Sequence, residues 1–348
     1  MLFQHANWRF RKNLLKKEKE EFREIERLYL IATAWGHDKA ASNLARMLIQ
    51  KGMSEKFRSQ VASEASGQMV LRGMPAGRAY SQAHMWSNIL FNDDLDYYTL
   101  GRSDYDAKSV EIAEDLVQRN IPGGYYLKGV MLEAGFGVEK DAKASMQFLR
   151  KAADLGNPDA QFYLGRKLSN EIGKEMQRCA ADQGHARAAF HIASDLKNGA
   201  NYAEAFNYFQ IAVKAGDQSA AEILRDEFND PALSTKAYPG LTRDEERANR
   251  YEKITETLSS YKLSSSVLNY SAETRFHDIF PTVDDIDKIA PLPPANLPGW
   301  DGQIKWVKEL EQSKAPSLPK EKRIKEMALA KSLDPQTGWP LNPESEKE

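Results

Sequence analysis

Asn120-Ile-Pro-Gly-Gly-Tyr-Tyr-Leu-Lys-Gly129 opens a stretch that runs through the turn Gly135-Phe-Gly-Val138 and Asp141 and closes on Phe148, Ala152, Ala153 and Gly156. Two helical patterns flank a glycine loop, and small residues stand where the helices must touch. This is one helical hairpin. The pattern then restarts: in Asn157-Pro-Asp-Ala-Gln-Phe-Tyr-Leu-Gly165, Pro158, Phe162 and Gly165 stand 36 residues after Pro122, Tyr126 and Gly129. A fixed period of roughly 20 to 50 residues marks a solenoid. Proline in the first helical turn is harmless, because the N–H it lacks has no partner there anyway.

Downstream of this pair the pattern continues. Gly156 to Gly184 spans only 28 residues, because the hairpin loop shrinks to 169–173. A fourth repeat opens on Ala188-Ala-Phe-His-Ile-Ala193, turns at Asn198-Gly-Ala-Asn201 and closes on Ala205, Tyr208, Ala212 and Gly216, and a helix from Ser219 to Phe228 supplies a last half-repeat. Upstream, residues 8–34 read as one long helix in which Arg9, Arg11, Lys12, Lys16, Lys17 and Lys19 run into Glu18, Glu20, Glu21, Glu24 and Glu26. Mixed charge at this spacing is that of a solvated helix face. Its end, Tyr29 to Gly36, has the closing form of a repeat, and a helix over 39–50 follows with Ala40, Leu44, Ala45 and Leu48 on one face. Between about 52 and 103 the period breaks, and this stretch reads as an insertion with a helix over 78–91; a helix over 105–119 resumes the pattern. The expectation is an all-α, right-handed α/α solenoid over 1–228.

From Asn229 the composition changes. Thr242-x-x-Glu245 has the form of a capping box opening a charged helix to about Tyr261. Ile289-Ala-Pro-Leu-Pro-Pro-Ala-Asn-Leu-Pro-Gly-Trp-Asp-Gly302 is proline-dense, which holds an extended path. Two short helices near 303–312 and 318–332 precede Thr337-Gly-Trp-Pro-Leu341. Trp300, Trp306 and Trp339 call for burial, so this second region, 229–348, is expected to wrap back along the solenoid.

Composition narrows the functional classes. Lys+Arg 48 against Asp+Glu 50 leaves a net charge of −2, which gives no electrostatic case for nucleic acid. The single cysteine, Cys179, excludes an intramolecular disulfide and any multi-cysteine metal site. Placed in Arg178-Cys-Ala-Ala-Asp-Gln-Gly184, it reads as a buried packing thiol. No apolar run approaches the roughly 18 residues of a membrane helix, and Met1 to His5 carries no apolar signal core, so no membrane insertion is expected. The six histidines contain no ligand pair at helical spacing, and His185 and His191 point to different faces. Gly135-x-Gly137 follows a helix rather than a strand and lacks the lysine of a phosphate loop. No Gly-x-Ser-x-Gly elbow occurs, and the acidic clusters at 93–96 and 284–287 lack the spacing of a calcium loop. The reading is therefore no catalytic residue, no metal and no cofactor.

A helical solenoid offers an extended concave surface for gripping another protein. Tyr126, Gly129, Gly137, Phe148, Ala152, Gly156, Phe162 and Gly165 are assigned to the repeat framework, with Phe190 and Tyr208 also placed in the core. Aromatics without a periodic duty are the better contact candidates: Trp86, Phe91, Tyr97 and Tyr98 in the insertion, then His191 and Asp195 one turn apart beside Phe190.

The hairpin signature itself, with Tyr126, Gly129, Gly135, Gly137, Val138, Asp141, Phe148, Ala152, Ala153 and Gly156 in place and Ser145 where alanine is usual, resembles that of Sel-1-like repeats, relatives of the tetratricopeptide family. A narrower resemblance, covering most of 20–341, is to bacterial Sel-1-like repeat proteins with a distinctive C-terminal segment. It rests on Pro122-Gly-Gly-Tyr-Tyr, Ala152-Ala-Asp-Leu-Gly-Asn-Pro-Asp-Ala-Gln, Ile172-Gly-Lys-Glu-Met-Gln-Arg-Cys-Ala-Ala, Pro291-Leu-Pro-Pro-Ala-Asn-Leu-Pro-Gly-Trp-Asp-Gly and Leu333-Asp-Pro-Gln-Thr-Gly-Trp-Pro-Leu. Proteins similar to this occur in Gram-negative bacteria, some of them encoded beside type VI secretion effectors of the phospholipase D class, which they neutralise as immunity proteins. The resemblance implies a one-to-one complex with a cognate toxin, neutralised by occlusion, and a periplasmic location with an export leader trimmed from this sequence; the alternative is cytoplasmic. A general scaffold would use the same surface. A cell-wall or β-lactam-acting enzyme is the third reading, and the cysteine-stapled relatives of that branch are unlike a chain with Cys179 alone.

Overall fold

The computed structural model describes residues 1–16, 19–49, 102–168, 170–231, 241–265, 283–289 and 296–341. Among these the chain is all-α, apart from one isolated antiparallel bridge between Leu333 and Pro340. In chain order the helices are α1 Leu2–Lys16, α2 Lys19–Ala34, α3 over 38–49, α4 Arg102–Gln118, α5 Pro122–Ala134, α6 Ala142–Asp154, α7 Pro158–Leu168 and α8 Glu171–Asp182. There follow α9 Ala186–Asn198, α10 Tyr202–Lys214, α11 Gln218–Asn229, α12 Glu245–Ser265, α13 Ile286–Ile289, α14 Lys305–Gln312 and α15 Glu321–Leu329. Helices adjacent in sequence pack on one another, as in a helical solenoid. Two compact units divide the chain: Met1–Ser145 with Leu263–His277 and Ala315–Glu348, and Met146–Lys262 with Asp278–Lys314.

In the first unit the long helix expected over 8–34 is two helices, α1 and α2, folded against each other. Phe3 lies 6.1 Å from Tyr29 and Phe10 lies 5.9 Å from Phe22, ring centre to ring centre, an antiparallel register. The charges that looked like neighbours along one helix face instead bridge the hairpin: Arg9 meets Glu21 at 2.7 Å and Glu24 at 3.8 Å. The apolar residues decided the matter. Leu2, Phe3, Ala6 and Phe10 bury their side chains, as do Ile25, Leu28, Tyr29 and Ile31, and each set needs the other to leave water.

The C-terminal residues complete this unit. Arg27, 5% exposed, donates to both oxygens of Glu24, to Glu321 of α15 and, at 2.9 Å, to the carbonyl of Pro335. Buried Glu26 accepts from Trp339 Nε1 at 3.0 Å, and Trp339 packs edge-on to Tyr105 of α4. Trp35 Nε1 donates to the Met327 carbonyl. The turn that presents Trp339 is held by the Asp334 carboxylate, which accepts from the amides of Gln336 and Thr337 and from the Thr337 hydroxyl. Of the three tryptophans expected to need burial, Trp306 is 4% exposed, whereas Trp300 and Trp339 are half-buried.

In the second unit, the joints α6–α7, α8–α9 and α10–α11 share one construction. The closing glycines Gly156, Gly184 and Gly216 take φ of 86°, 82° and 88°, and Gly36 in the first unit takes 82°, the left-handed region open to a residue without Cβ. At each, the glycine N–H and the next N–H turn back on the last carbonyls of the finished helix: Gly156 to Ala153 and Asn157 to Ala152, Gly184 to Ala181 and His185 to Ala180, Gly216 to Val213 and Asp217 to Ala212. This is the Schellman stop. The residue after the glycine then starts the next helix. Asn157, Asp217, His185 and His37 each accept, on a side-chain atom, the N–H of an alanine three residues on, at 2.8 to 3.2 Å. One residue therefore finishes one helix and caps the next.

Close approach follows from the small residues. A Cβ on Gly165 would lie 2.6 Å from the Gly173 carbonyl oxygen, and one on Gly173 would lie 2.7 Å from that of Gly165. Gln177 Nε2 donates to the Gly165 carbonyl at this crossing of α7 and α8, and Asn170 caps α8 through the Gly173 N–H at 2.9 Å. Ala152, Ala180, Ala188, Ala189, Ala193, Ala205 and Ala212 are buried between helices. Cys179, read from the sequence as a packing thiol, is exposed; α8 turns Ala180 and Ala181 inward instead, and the cysteine falls on the outer face.

The last long helix, α12, is capped by Asp244, whose carboxylate accepts from the Arg247 N–H at 3.0 Å, two residues beyond the expected Thr242. Tyr251, fully buried, stacks on Phe228 and is bonded through its hydroxyl to Gln210. Arg250 clips the extended tail to α12: it donates to the carbonyls of Lys288 and Pro298 and lies over the Trp300 ring. Buried Asp285 caps α14 through the Lys305 N–H at 2.8 Å.

Candidate functional site

The repeat positions sort into two shells. Tyr126, Gly129, Ala152, Phe162 and Gly165 are buried, and Gly137 takes φ of 63° in the hairpin turn with Val110 against it. Phe148, Phe190 and Tyr208, expected in the core, are half-buried. Their neighbours Leu149, Ile192 and Phe209 take the inward positions, and the three aromatic rings are left between core and water. Gly156 closes α6 as described. Trp86, Phe91, Tyr97 and Tyr98 lie outside the described residues.

The half-exposed aromatic set centres on His191. Its ring stacks on Phe162 of α7 at 5.5 Å and meets Phe190 edge-on at 5.8 Å. Helical spacing builds the rest. Arg166 stands one turn beyond Phe162 on α7; Arg187 stands one turn before His191 on α9, and Asp195 one turn after. Arg166 and Asp195 are exposed, Arg187 and His191 half-buried. Next to them Lys167 lies over the Tyr163 ring at 4.4 Å.

Electrostatics confirm the grouping. The His191 imidazole is held below the usual histidine range, first by burial and then by the positive charges of Arg166 and Arg187, with Asp195 pulling the other way. Behind it, His185 packs on Phe162 at 4.7 Å and faces buried Asp159 at 3.5 Å. Because His185 Nδ1 accepts the Ala188 N–H, its proton sits on Nε2, where it faces the carboxylate. His185 and Asp159 are thus spent on the joint, and they reach no open surface: both side chains are 3% exposed.

Arg166 and Arg187 are the residues that sequence reading missed. Among the described residues neither side chain makes an ion pair or hydrogen bond, and the same holds of exposed Arg243 and Arg323, whereas Arg119 pairs with Asp115 and Asp38, Arg150 with Asp154, and Arg225 with Asp226 and Glu252. What sets Arg166 and Arg187 apart is that both act on the one His191 ring. A one-turn offset from Phe162 and from His191 was the available signal.

Elsewhere, a shallow groove of about 500 Å³ runs along α4 beside Gly137. Its carboxylates are already neutralised, Glu111 by Lys108, Glu114 by Lys128 and Asp115 by Arg119. Among the described residues no group of three histidine, cysteine or acidic side chains could hold a metal, and no helix is long and apolar enough to cross a membrane. What the His191 face offers is adhesion: aromatic surface with two cations at its rim.

Residues 220–341 match a family described as a domain of unknown function, DUF6396. No curated protein matches the chain. Among solved structures, Pseudomonas aeruginosa 5086 (PA5086) is similar at 21% identity and TM-score 0.49, over 84% of this chain and 89% of that one. Immunity protein Pa5087 from Pseudomonas aeruginosa is similar at 24% identity and TM-score 0.43, over 71% and 79%. A Sel1 repeat protein from Oxalobacter formigenes is similar at 21% identity and TM-score 0.37, over 70% and 91%.

Proposed function

We propose that this chain is a protein-binding helical-repeat protein, and more narrowly an immunity protein that neutralises a cognate type VI secretion effector of the phospholipase class by forming a one-to-one complex that occludes it. The observation that carries the binding role is the His191 face, where Phe190 and His191 stay half-exposed and Arg166 and Arg187 have no partner among the described residues. Aromatic and arginine side chains held in this way are the usual anchors of protein interfaces. The immunity role is supported by the sequence resemblance in the repeat and C-terminal segments, and a periplasmic location goes with it. Pa5087 is itself described as an immunity protein.

The test is co-expression with the effector encoded beside this gene. Growth rescue, with the two chains eluting together in equal amounts, is the expected result. A purified effector whose lipase activity is untouched by excess of this chain, with no rescue, overturns the immunity reading and leaves a scaffold.

A further inference from the structure

We propose that the His191 face takes an acidic segment of the partner, with Arg166 and Arg187 holding its carboxylates and an aromatic or aliphatic side chain of the same segment covering Phe190. This deepens the protein-binding reading and rests on it. The argument is one of charge left over. α7 carries Arg166 one turn beyond Phe162 and α9 carries Arg187 one turn before His191, whose imidazole stacks on Phe162; among the described residues Asp195 is the acidic group that acts on that ring. Three groups with positive or potentially positive charge are thereby gathered round an aromatic floor with one carboxylate to balance them. The guanidinium forks are planar and suited to bidentate carboxylate binding. The positive charges of Arg166 and Arg187 act on the His191 ring in the same direction as its burial, with Asp195 against them.

A basic segment would face the same two arginines and is disfavoured. A nucleic acid would need a broad basic surface, and a net charge of −2 does not supply one.

The probe is a short fluorescein-labelled peptide rich in glutamate and carrying one tyrosine, with a lysine-for-glutamate peptide beside it. At low salt the glutamate peptide is expected to bind the full chain at least about tenfold more tightly than it binds the Arg166→Glu, Arg187→Glu variant, and binding should weaken as salt rises. The lysine peptide should not bind. In parallel, the His191 imidazole, followed by NMR, should titrate at higher pH when the glutamate peptide is present, because incoming carboxylates favour the imidazolium. Arg166→Gln with Arg187→Gln carries no like-charge penalty and covers the case in which the charge reversal disturbs folding; it too should lose the peptide. Arg150→Glu, at an exposed site on α6, should bind as the parent does.

Equal binding by the parent and the glutamine pair, or a His191 titration that the peptide leaves unmoved, overturns the inference. Growth rescue that survives in both double variants also removes it, while leaving the immunity reading in place. Absence of rescue by the parent chain bears on the immunity reading alone.

Discussion

At His37 a single lone pair decides what the residue can do. Its Nδ1 accepts the Ala40 N–H at 3.2 Å to cap α3, and its ring stacks on Phe3 at 4.3 Å. Protonation turns that acceptor into a donor and ends the cap. The folded-state pKa is lowered, first by burial, with the N-terminal amine and Lys39 acting in the same direction and Asp38 against them. The unfolded residue therefore takes its proton first. The contribution to stability is complete above the unfolded value of about 6.5 and is lost as pH falls through the folded one. Thermal melts at pH 7.5 and pH 5.5 should show a loss on the acid side that shrinks in His37→Asn, since asparagine caps a helix without a titration; an unchanged loss would rule out His37 as its source. Ala200 gives a second test. It ends α9 at φ of 62° although Gly199 precedes it, and alanine is strained there. Ala200→Gly should raise stability by about 1 kcal/mol in urea unfolding.

Among elements, the pair α7 and α8 has the least room. At Gly165 and Gly173 each backbone sits where the other's Cβ would have to go. Gly165→Ala should cost about 1–3 kcal/mol, as overpacking does, and Gly173→Ala a similar amount; a loss below about 0.5 kcal/mol in urea unfolding would mean that the helices separate freely. Only half of this crossing was legible in the sequence: Gly165 recurs at a fixed distance from Gly129, but Gly173, read as the end of a hairpin loop over 169–173, lies inside α8, which begins at Glu171. The α1–α2 hairpin was not legible in the same way. Arg9 and Glu21 look alike on paper whether they lie on one helix or on two, and only the burial of Phe3, Phe10 and Tyr29 separates the cases. Cys179 was misassigned for a related reason: the Ala-Ala of its motif occupies the inner face, so the residue before it is turned out. Arg166 and Arg187 left only a one-turn offset from Phe162 and from His191 in the sequence. A surface arginine is ordinary, and what marks these two is that they act on the same ring.

Over the full length of the chain, sequence order and spatial order part company. Residues 315–341 belong with the first 145, while 283–314 belong with the repeats that follow. Arg27 to Glu321, Glu26 to Trp339 and Trp35 to Met327 join residues about 300 positions apart. No local pattern announces such contacts; the sequence showed only that three tryptophans needed cover. Removing the residues after Lys314 should strip the buried Arg27 and Glu26 of these partners and raise amide exchange in α1 and α2, with α8 to α10 little changed. Uniform protection across both groups, by hydrogen exchange and mass spectrometry, would refute this. Trp339→Ala is the milder version and should cost about 2 kcal/mol, counting the lost packing of the half-buried ring and the hydrogen bond it gives to Glu26.

A ribosome makes α1 and α2 well before residues 321–339, yet Arg27, Glu26 and Trp35 receive contacts from those later residues. These two helices therefore stay unfinished until about 300 further residues have left the ribosome.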